Sequence, residues 1–339
     1  MKLLIITQAV DTEDPVLGFF VRWIEEFAKH VEHIEVICLK EGKHDSLPAN
    51  VVVHSLGKEL GRANRITYAI RFKLLAWKLR HDYDAVFVHM NQEYILIFGL
   101  LWKLLGKRIY LWRNHYAGSW LTDVAAVFCT KVFCTSHHSY TAKYAKTVLM
   151  PVGVDTERFT LGEHIQKKPH SILFLARMSP SKRPDMLIDA LASLARDDID
   201  FIATFVGSPL PKDEAYYASL KEKAQALAGS VTFLHGVPNS ETIDLYRAHE
   251  IFVNCSPSGM FDKTLFEAAA CGCRVLATSD DFSLLAGPGS HFSSATELAD
   301  RLQSALTGPI LPMERAFVGQ NSLTALAKRL LSEMGQDVA

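Results

Sequence analysis

The sequence predicts an α/β protein made of two Rossmann-like, doubly wound parallel-sheet domains facing a central cleft. Three observations carry this. Short apolar runs that need cover on both faces alternate with helix-length amphipathic segments along the chain. The plan runs twice, on either side of a polar linker, MPVGVDTERFTLGEHIQKKPH. At 339 residues the chain exceeds the roughly 250–300 residues at which single cores stop growing.

Taken in order, KLLIIT reads as a buried strand, followed by the loop QAVDTEDPVLG and an amphipathic helix through Phe19–His30. Strands IEVICL and VVVHSL come next, then a helix around Tyr68–Leu79, the strand AVFVH, and a helix at about Tyr94–Leu105. RIYLW, a further helix, KVFCTS and TVLM complete the first half. The second half reads SILFLA, helix Pro184–Leu194, FIATFVG, helix Tyr216–Leu227, VTFLHG, helix Glu241–His249, IFVNC, helix Thr264–Cys271 and RVLAT. A weaker strand is expected near His291, before the helix Ala295–Ala305. The boundary falls within Pro151–His170. The domains are therefore drawn as 1–155 and 156–321, with a last helix at 322–335. The loop GPILPMERAFVGQ is long enough to return that helix to the first domain.

Composition narrows the function. Formal net charge is −1, so nothing pulls the whole molecule toward nucleic acid. Residues 1–150 hold 19 Lys and Arg against 14 Asp and Glu, and the remainder holds 17 against 23. Much of the basic excess lies in residues 58–113, where Arg65, Arg71, Lys73 and Lys78 interleave with Phe72, Leu74, Leu75 and Trp77. Such a helix suits an anionic membrane surface. It equally suits a solvated helix packing its apolar stripe on the sheet. The six cysteines sit in apolar, strand-like surroundings without a CxxC pair, as reduced core residues of a cytoplasmic protein do. The apolar runs MKLLIIT and YILIFGLLWKLL are too short for a signal peptide and a membrane span.

In such domains ligands bind beyond the carboxyl ends of the strands, so polar residues there are the candidates. Arg177 follows the first strand of the second domain, and Lys182 lies five residues on in LARMSPSKRPD. Two cations so placed can reach one diphosphate and stabilise it as a leaving group. Glu267 sits one turn into a small, apolar helix that begins near Lys263 or Thr264. A carboxylate there can accept from paired sugar hydroxyls. Alternatively it is an ordinary first-turn glutamate favoured by the helix dipole. His89, in FVHMNQE, reads as structural.

Three segments then resemble the donor domain of family-4 glycosyltransferases. LARMSPSKRPDMLIDAL resembles the family's Arg-x4-Lys segment, at Arg177 and Lys182. VTFLHGVPNSETIDLYRAHEIFVNCSPS resembles the stretch before the active loop. SGMFDKTLFEAAACGCRVLAT resembles the Glu-x7-Glu segment, with Glu267 at the second glutamate. The resemblance implies the GT-B architecture and a retaining, metal-independent hexosyltransferase of polysaccharide biosynthesis. Such an enzyme moves a sugar from a nucleotide-diphosphate donor to a glycan, lipid-linked or small-molecule acceptor, and needs no cofactor.

It further implies that Arg177 and Lys182 hold the diphosphate and Glu267 the ribose. Val237 meets the base, with Gly207 at a neighbouring strand end, and Met260, Phe261, Asp262 and Lys263 meet the sugar or distal phosphate. Gly259 falls where the family has its first glutamate, so Asp262 or Lys263 is expected to take over sugar recognition. In the first domain, His115 falls near the family's histidine beside the reacting sugar. Gly18 loosely matches a glycine close to the diphosphate, and Asp11 is an acceptor-side candidate. Peripheral membrane contact through residues 58–113 fits the same reading. Rival readings are a sugar-nucleotide epimerase on the same fold, or a nucleotide- or glycan-binding protein with little turnover.

Overall fold

A computed structural model describes residues 1–14, 16–61, 63–162, 166–259, 263–308 and 315–336. The chain divides into two compact units, Met1–Gly153 with Leu323–Ala339, and Val154–Ser322.

In the first unit the chain runs β1 (Lys2–Val10), α1 (Phe19–Ala28), β2 (His33–Glu41), β3 (Val51–Ser55), α2 (Arg65–Lys78) and β4 (Ala85–His89). It continues through α3 (Glu93–Leu104), β5 (Arg108–Trp112), α4 (Trp120–Phe128), β6 (Lys131–Cys134) and β7 (Thr147–Leu149). Among the described residues these strands form a parallel sheet in the order β3-β2-β1-β4-β5-β6-β7. Period-2 alternation sends neighbouring side chains of each strand to opposite faces. Leu4, Ile6, Val86, Val88 and Leu111 share one core with Phe72 of α2, Phe98 and Trp102 of α3, and Ala125 of α4. On the other side Phe27 of α1 meets Phe87 edge-on, and Trp23 meets Trp112 at 5.0 Å.

The second unit runs β8 (Lys168–Leu175), α5 (Pro184–Arg196), β9 (Ile202–Val206), α6 (Glu214–Lys223), β10 (Val231–Leu234) and α7 (Thr242–Ala248). β11 (His249–Asn254), α8 (Lys263–Ala270), β12 (Arg274–Ala277), α9 (Asp280–Ala286), α10 (Ala295–Thr307) and α11 (Arg315–Gln320) follow. Its parallel sheet has the order β10-β9-β8-β11-β12 among the described residues. The strand expected near His291 reduces to a single parallel bridge between Ala277 and His291. The last helix, α12 (Leu323–Glu333), packs on α1, and Lys131 pairs with Glu333 at 2.6 Å.

One expectation needs correcting. α2 packs only part of its apolar surface on the sheet. Phe72 and Ala76 are buried, whereas Ile66, Ile70, Leu74 and Trp77 face solvent. Among the described residues no helix is long and apolar enough to cross a membrane.

Candidate functional site

The order of the second sheet reverses between β8 and β11, which are neighbours, and crevices at such switch points receive ligands in open α/β sheets. The loops after these two strands carry the cations and polar groups. Arg177 lies two residues past the β8 end and is exposed. Lys182 closes a 3₁₀ turn, Pro180–Lys182, and α5 starts two residues later at Pro184, after Arg183 adopts a left-handed backbone. Lys182 is half-buried, and its Nζ donates to Ser256 Oγ at 3.0 Å, joining the β8 loop to the β11 loop. Ser256 is itself fixed. Its amide donates to Asn254 Oδ1 at 2.8 Å, and its carbonyl accepts from Thr278 Oγ1 at 2.7 Å.

Glu267 lies one turn into α8 and is 1% exposed. A charge so buried needs partners, and three groups provide them. Lys263 Nζ stands 3.1 Å from Oε1, and Asn239 Nδ2 approaches the same oxygen at 3.5 Å. Tyr246 OH donates to Oε2 at 3.3 Å. Burial first, and then the Glu267 charge, push the Tyr246 hydroxyl well above its ordinary value, so it remains a donor. Lys167 secures this corner by donating to the carbonyls of Tyr246 at 3.1 Å, His249 at 2.7 Å and Cys271 at 3.2 Å. These carbonyls lie at the ends of α7 and α8, where orphaned acceptors collect.

The loops after β9 and β10 meet beside these groups. Gly236 N donates to Ser208 Oγ at 3.0 Å, and Val237 follows, half-buried. Gly207 has a structural reason to be glycine: a Cβ there would lie 1.9 Å from the Ala176 carbonyl oxygen. Gly259 has φ +84°, which disfavours any side chain, so this backbone would strain a glutamate placed there. Met260, Phe261 and Asp262 lie outside the described residues. Thus Lys182, Lys263 and Glu267 sit among hydrogen-bonded groups of one unit, with Arg177 exposed at the same sheet end.

The candidates of the first unit are held differently. Burial would raise the Asp11 carboxyl, but the amides of Glu13 and Lys43 and the Lys40 ammonium hold it below the usual carboxylate range. Asp11 thus closes its own loop. Gly18 leaves room where a Cβ would come within 2.7 Å of the Asp14 carbonyl oxygen. His115 follows β5 and is half-exposed. It stacks on Tyr116, and its Nδ1 accepts from the Ala117 amide at 2.9 Å. His89 is structural, stacked on Phe20 at 4.0 Å, and burial lowers its pKa to about 3.

Sequence reading missed Ser256, Asn239 and Tyr246. Ser256 offered a signal, as a polar residue directly after an apolar strand. Tyr246 lies within the expected helix Glu241–His249, where nothing in the local sequence marks it as a partner of Glu267.

The fold is that of the GT-B glycosyltransferases, two parallel-sheet α/β units, and solved structures align along the whole chain. Anabaena HepE in complex with UDP and glucose matches with a TM-score of 0.77, 17% identity and 100% of both chains covered. Sucrose-phosphate synthase from Thermosynechococcus elongatus matches at 0.75, with 16% identity and 99% of both chains covered. Residues 155–317 match the family model for glycosyl transferases group 1. The match covers just under half of the chain and falls within the second unit, so by these residues the chain is similar to that family.

Curated relatives include two proteins named D-inositol 3-phosphate glycosyltransferase. That of Geodermatophilus obscurus is 30% identical over 154 residues, 41% of this chain and 34% of the relative. That of Actinosynnema mirum is 28% identical over 226 residues, 58% of this chain and 53% of the relative. The matches therefore span about a third to a half of these relatives.

Proposed function

We propose that this protein is a retaining, family-4 hexosyltransferase using a nucleotide-diphosphate sugar, acting in the cytoplasm in polysaccharide biosynthesis. The observation that carries this is Glu267, a buried carboxylate ringed by donors, at one sheet end with Lys182 and Arg177. The nucleotide's ribose hydroxyls would take over part of the hydrogen bonding that Asn239 and Tyr246 now supply to Glu267. Lys182 and Arg177 would face the diphosphate. The base is assigned to the Val237 loop, and Lys263 to the donor sugar or distal phosphate. The six cysteines, free and buried, support a reducing compartment.

In the transfer, the bond from the anomeric carbon to the β-phosphate oxygen breaks, and the diphosphate leaves with the electron pair. The acceptor oxygen bonds to the anomeric carbon on the same face, and its proton passes to the departing phosphate oxygen. Arg177 and Lys182 stabilise the charge that develops there. The acceptor, a glycan, a lipid-linked sugar or a small molecule, is assigned to the first unit, with His115 as its candidate contact there.

A thermal-shift panel of UDP, GDP, ADP and their sugar conjugates tests the donor site, because a ligand bound only by the folded state raises the midpoint. One nucleotide series should stabilise the wild type, and Arg177→Ala and Glu267→Gln should lose the effect. Turnover by Arg177→Ala is expected to fall about 100-fold or more, and turnover by the wild type to survive EDTA. No shift with any nucleotide at about millimolar concentration would overturn the assignment.

A further inference from the structure

The outer surface of the first unit has no role in the transfer just described. α3 packs against α2 on one side and α4 on the other, so the three form one layer over one face of the sheet. Each turns a second apolar stripe outward. On α2, Ile66, Ile70, Leu74 and Trp77 follow one another at helical spacing, with Ile66 69% and Leu74 66% exposed. On α3 the stripe is Leu100, Leu101 and Leu104, the last 74% exposed. On α4 it is Trp120, Leu121, Val124 and Val127. Single exposed apolar residues are ordinary, but three adjacent helices with apolar outer stripes mark an interaction surface.

Charge selects the occupant. α2 carries Arg65, Arg71, Lys73 and Lys78 and no acidic residue. Arg65, Lys73, Lys78 and, on α3, Lys103 are exposed beside the apolar stripes. The Arg80 guanidinium lies 4.4 Å over the Trp77 ring. A second copy of the chain would bring two positive faces together. An anionic lipid surface accepts apolar side chains below its headgroups and cations among them, and tryptophan favours that boundary.

We infer that the outer face of α2, α3 and α4 docks the protein on an anionic lipid bilayer. Apolar stripes insert to the depth of the acyl-chain boundary while Arg65, Lys73, Lys78 and Lys103 meet the phosphates. The inference needs neither nucleotide nor turnover, so it stands or falls apart from the transferase reading.

The test is co-sedimentation of the full chain with vesicles of phosphatidylcholine alone, or with about 30% phosphatidylglycerol added. Wild type should sediment with the anionic vesicles, remain in solution with the neutral ones, and be released as salt is raised. The double variant Ile70→Glu, Leu74→Glu and the single variant Leu104→Glu should each bind the anionic vesicles at least about tenfold more weakly. Leu284→Glu on the second unit should bind as wild type. Unchanged melting midpoints establish that the variants fold, because the replaced side chains already face solvent. Wild type that ignores anionic vesicles, or face variants that bind them equally well, would overturn the inference. So would a dimer that Ile70→Glu, Leu74→Glu dissolves without any vesicle binding, which would give the face to a second copy.

Discussion

In the first unit Trp23, Trp102, Trp112, Tyr83 and Tyr110 are sealed in the core, whereas in the second Tyr246 is the only Trp or Tyr so deeply buried among the described residues. That one tyrosine holds Glu267. The strand-end loops differ in the same sense. Asp11 is spent on the amides of its own loop, His115 accepts from Ala117, and Asn114 binds Thr135 and Ser139. In the second unit Lys182 reaches across to Ser256 and Arg177 points into solvent. The first unit therefore spends its polar groups on shaping itself. The second joins its strand-end loops to one another and leaves Arg177 exposed.

That contrast can be broken. All five tryptophans lie in the first unit, so tryptophan fluorescence follows its unfolding alone, while calorimetry sees both units. Trp112→Ala should lower the stability of the fluorescent transition by about 4 kcal/mol through the cavity it leaves. Nucleotide-induced stabilisation of the second unit should persist. Equal shifts of both calorimetric transitions would mean that the units do not unfold separately.

Glu267→Ala should do the reverse. It removes the buried carboxylate that Lys263, Asn239 and Tyr246 all face, at a cost of about 3 kcal/mol to the second unit, with the fluorescent transition unmoved. Exchanging Lys263 for Met in the same chain should recover part of that loss, as seen in the second calorimetric peak.

His89 supplies a pH signature confined to the first unit. Its folded pKa, about 3, lies below the unfolded value of 6.5, so the neutral ring's contribution is complete above pH 6.5 and is lost as pH falls toward 3. From pH 7 to pH 5 wild type should lose about 2 kcal/mol more than His89→Phe in denaturant titrations read by fluorescence. Equal losses would show that the imidazole takes up its proton as readily in the fold as in the unfolded chain. The smallest stability effect is expected at Arg177→Ala, within about 0.5 kcal/mol of wild type, because the side chain is exposed. The same variant should abolish the nucleotide-induced midpoint shift.

Alternation of apolar runs and amphipathic segments made the strand sequence legible, because a strand covered on both faces must be apolar throughout. The positions of Arg177, Lys182 and Glu267 were legible for a related reason, being polar groups beside runs such as SILFLA and IFVNC. Their partners were not. Asn239 and Tyr246 reach Glu267 only through packing of α7 beside α8, which no local spacing records. The outward face of α2 was legible only in part, as basic residues interleaved with apolar ones that fitted either a membrane surface or the sheet. Two apolar stripes on one helix, Phe72 with Ala76 and Ile70 with Leu74, blur the single-sided pattern that marks an amphipathic helix. Gly259 read as a missing carboxylate, and only the backbone angle shows that this turn favours glycine.

The return of α12 to the first unit has a consequence for the order of birth. Leu323–Glu333 leave the ribosome only after every residue of the second unit, yet they cover α1 and anchor Glu333 to Lys131 and the Met334 carbonyl to Arg108. During synthesis the first unit must wait with part of its core uncovered, while the second can close within one uninterrupted stretch of chain. The half made first is finished last, and its unsheltered aromatic core is the surface that a chaperone would meet.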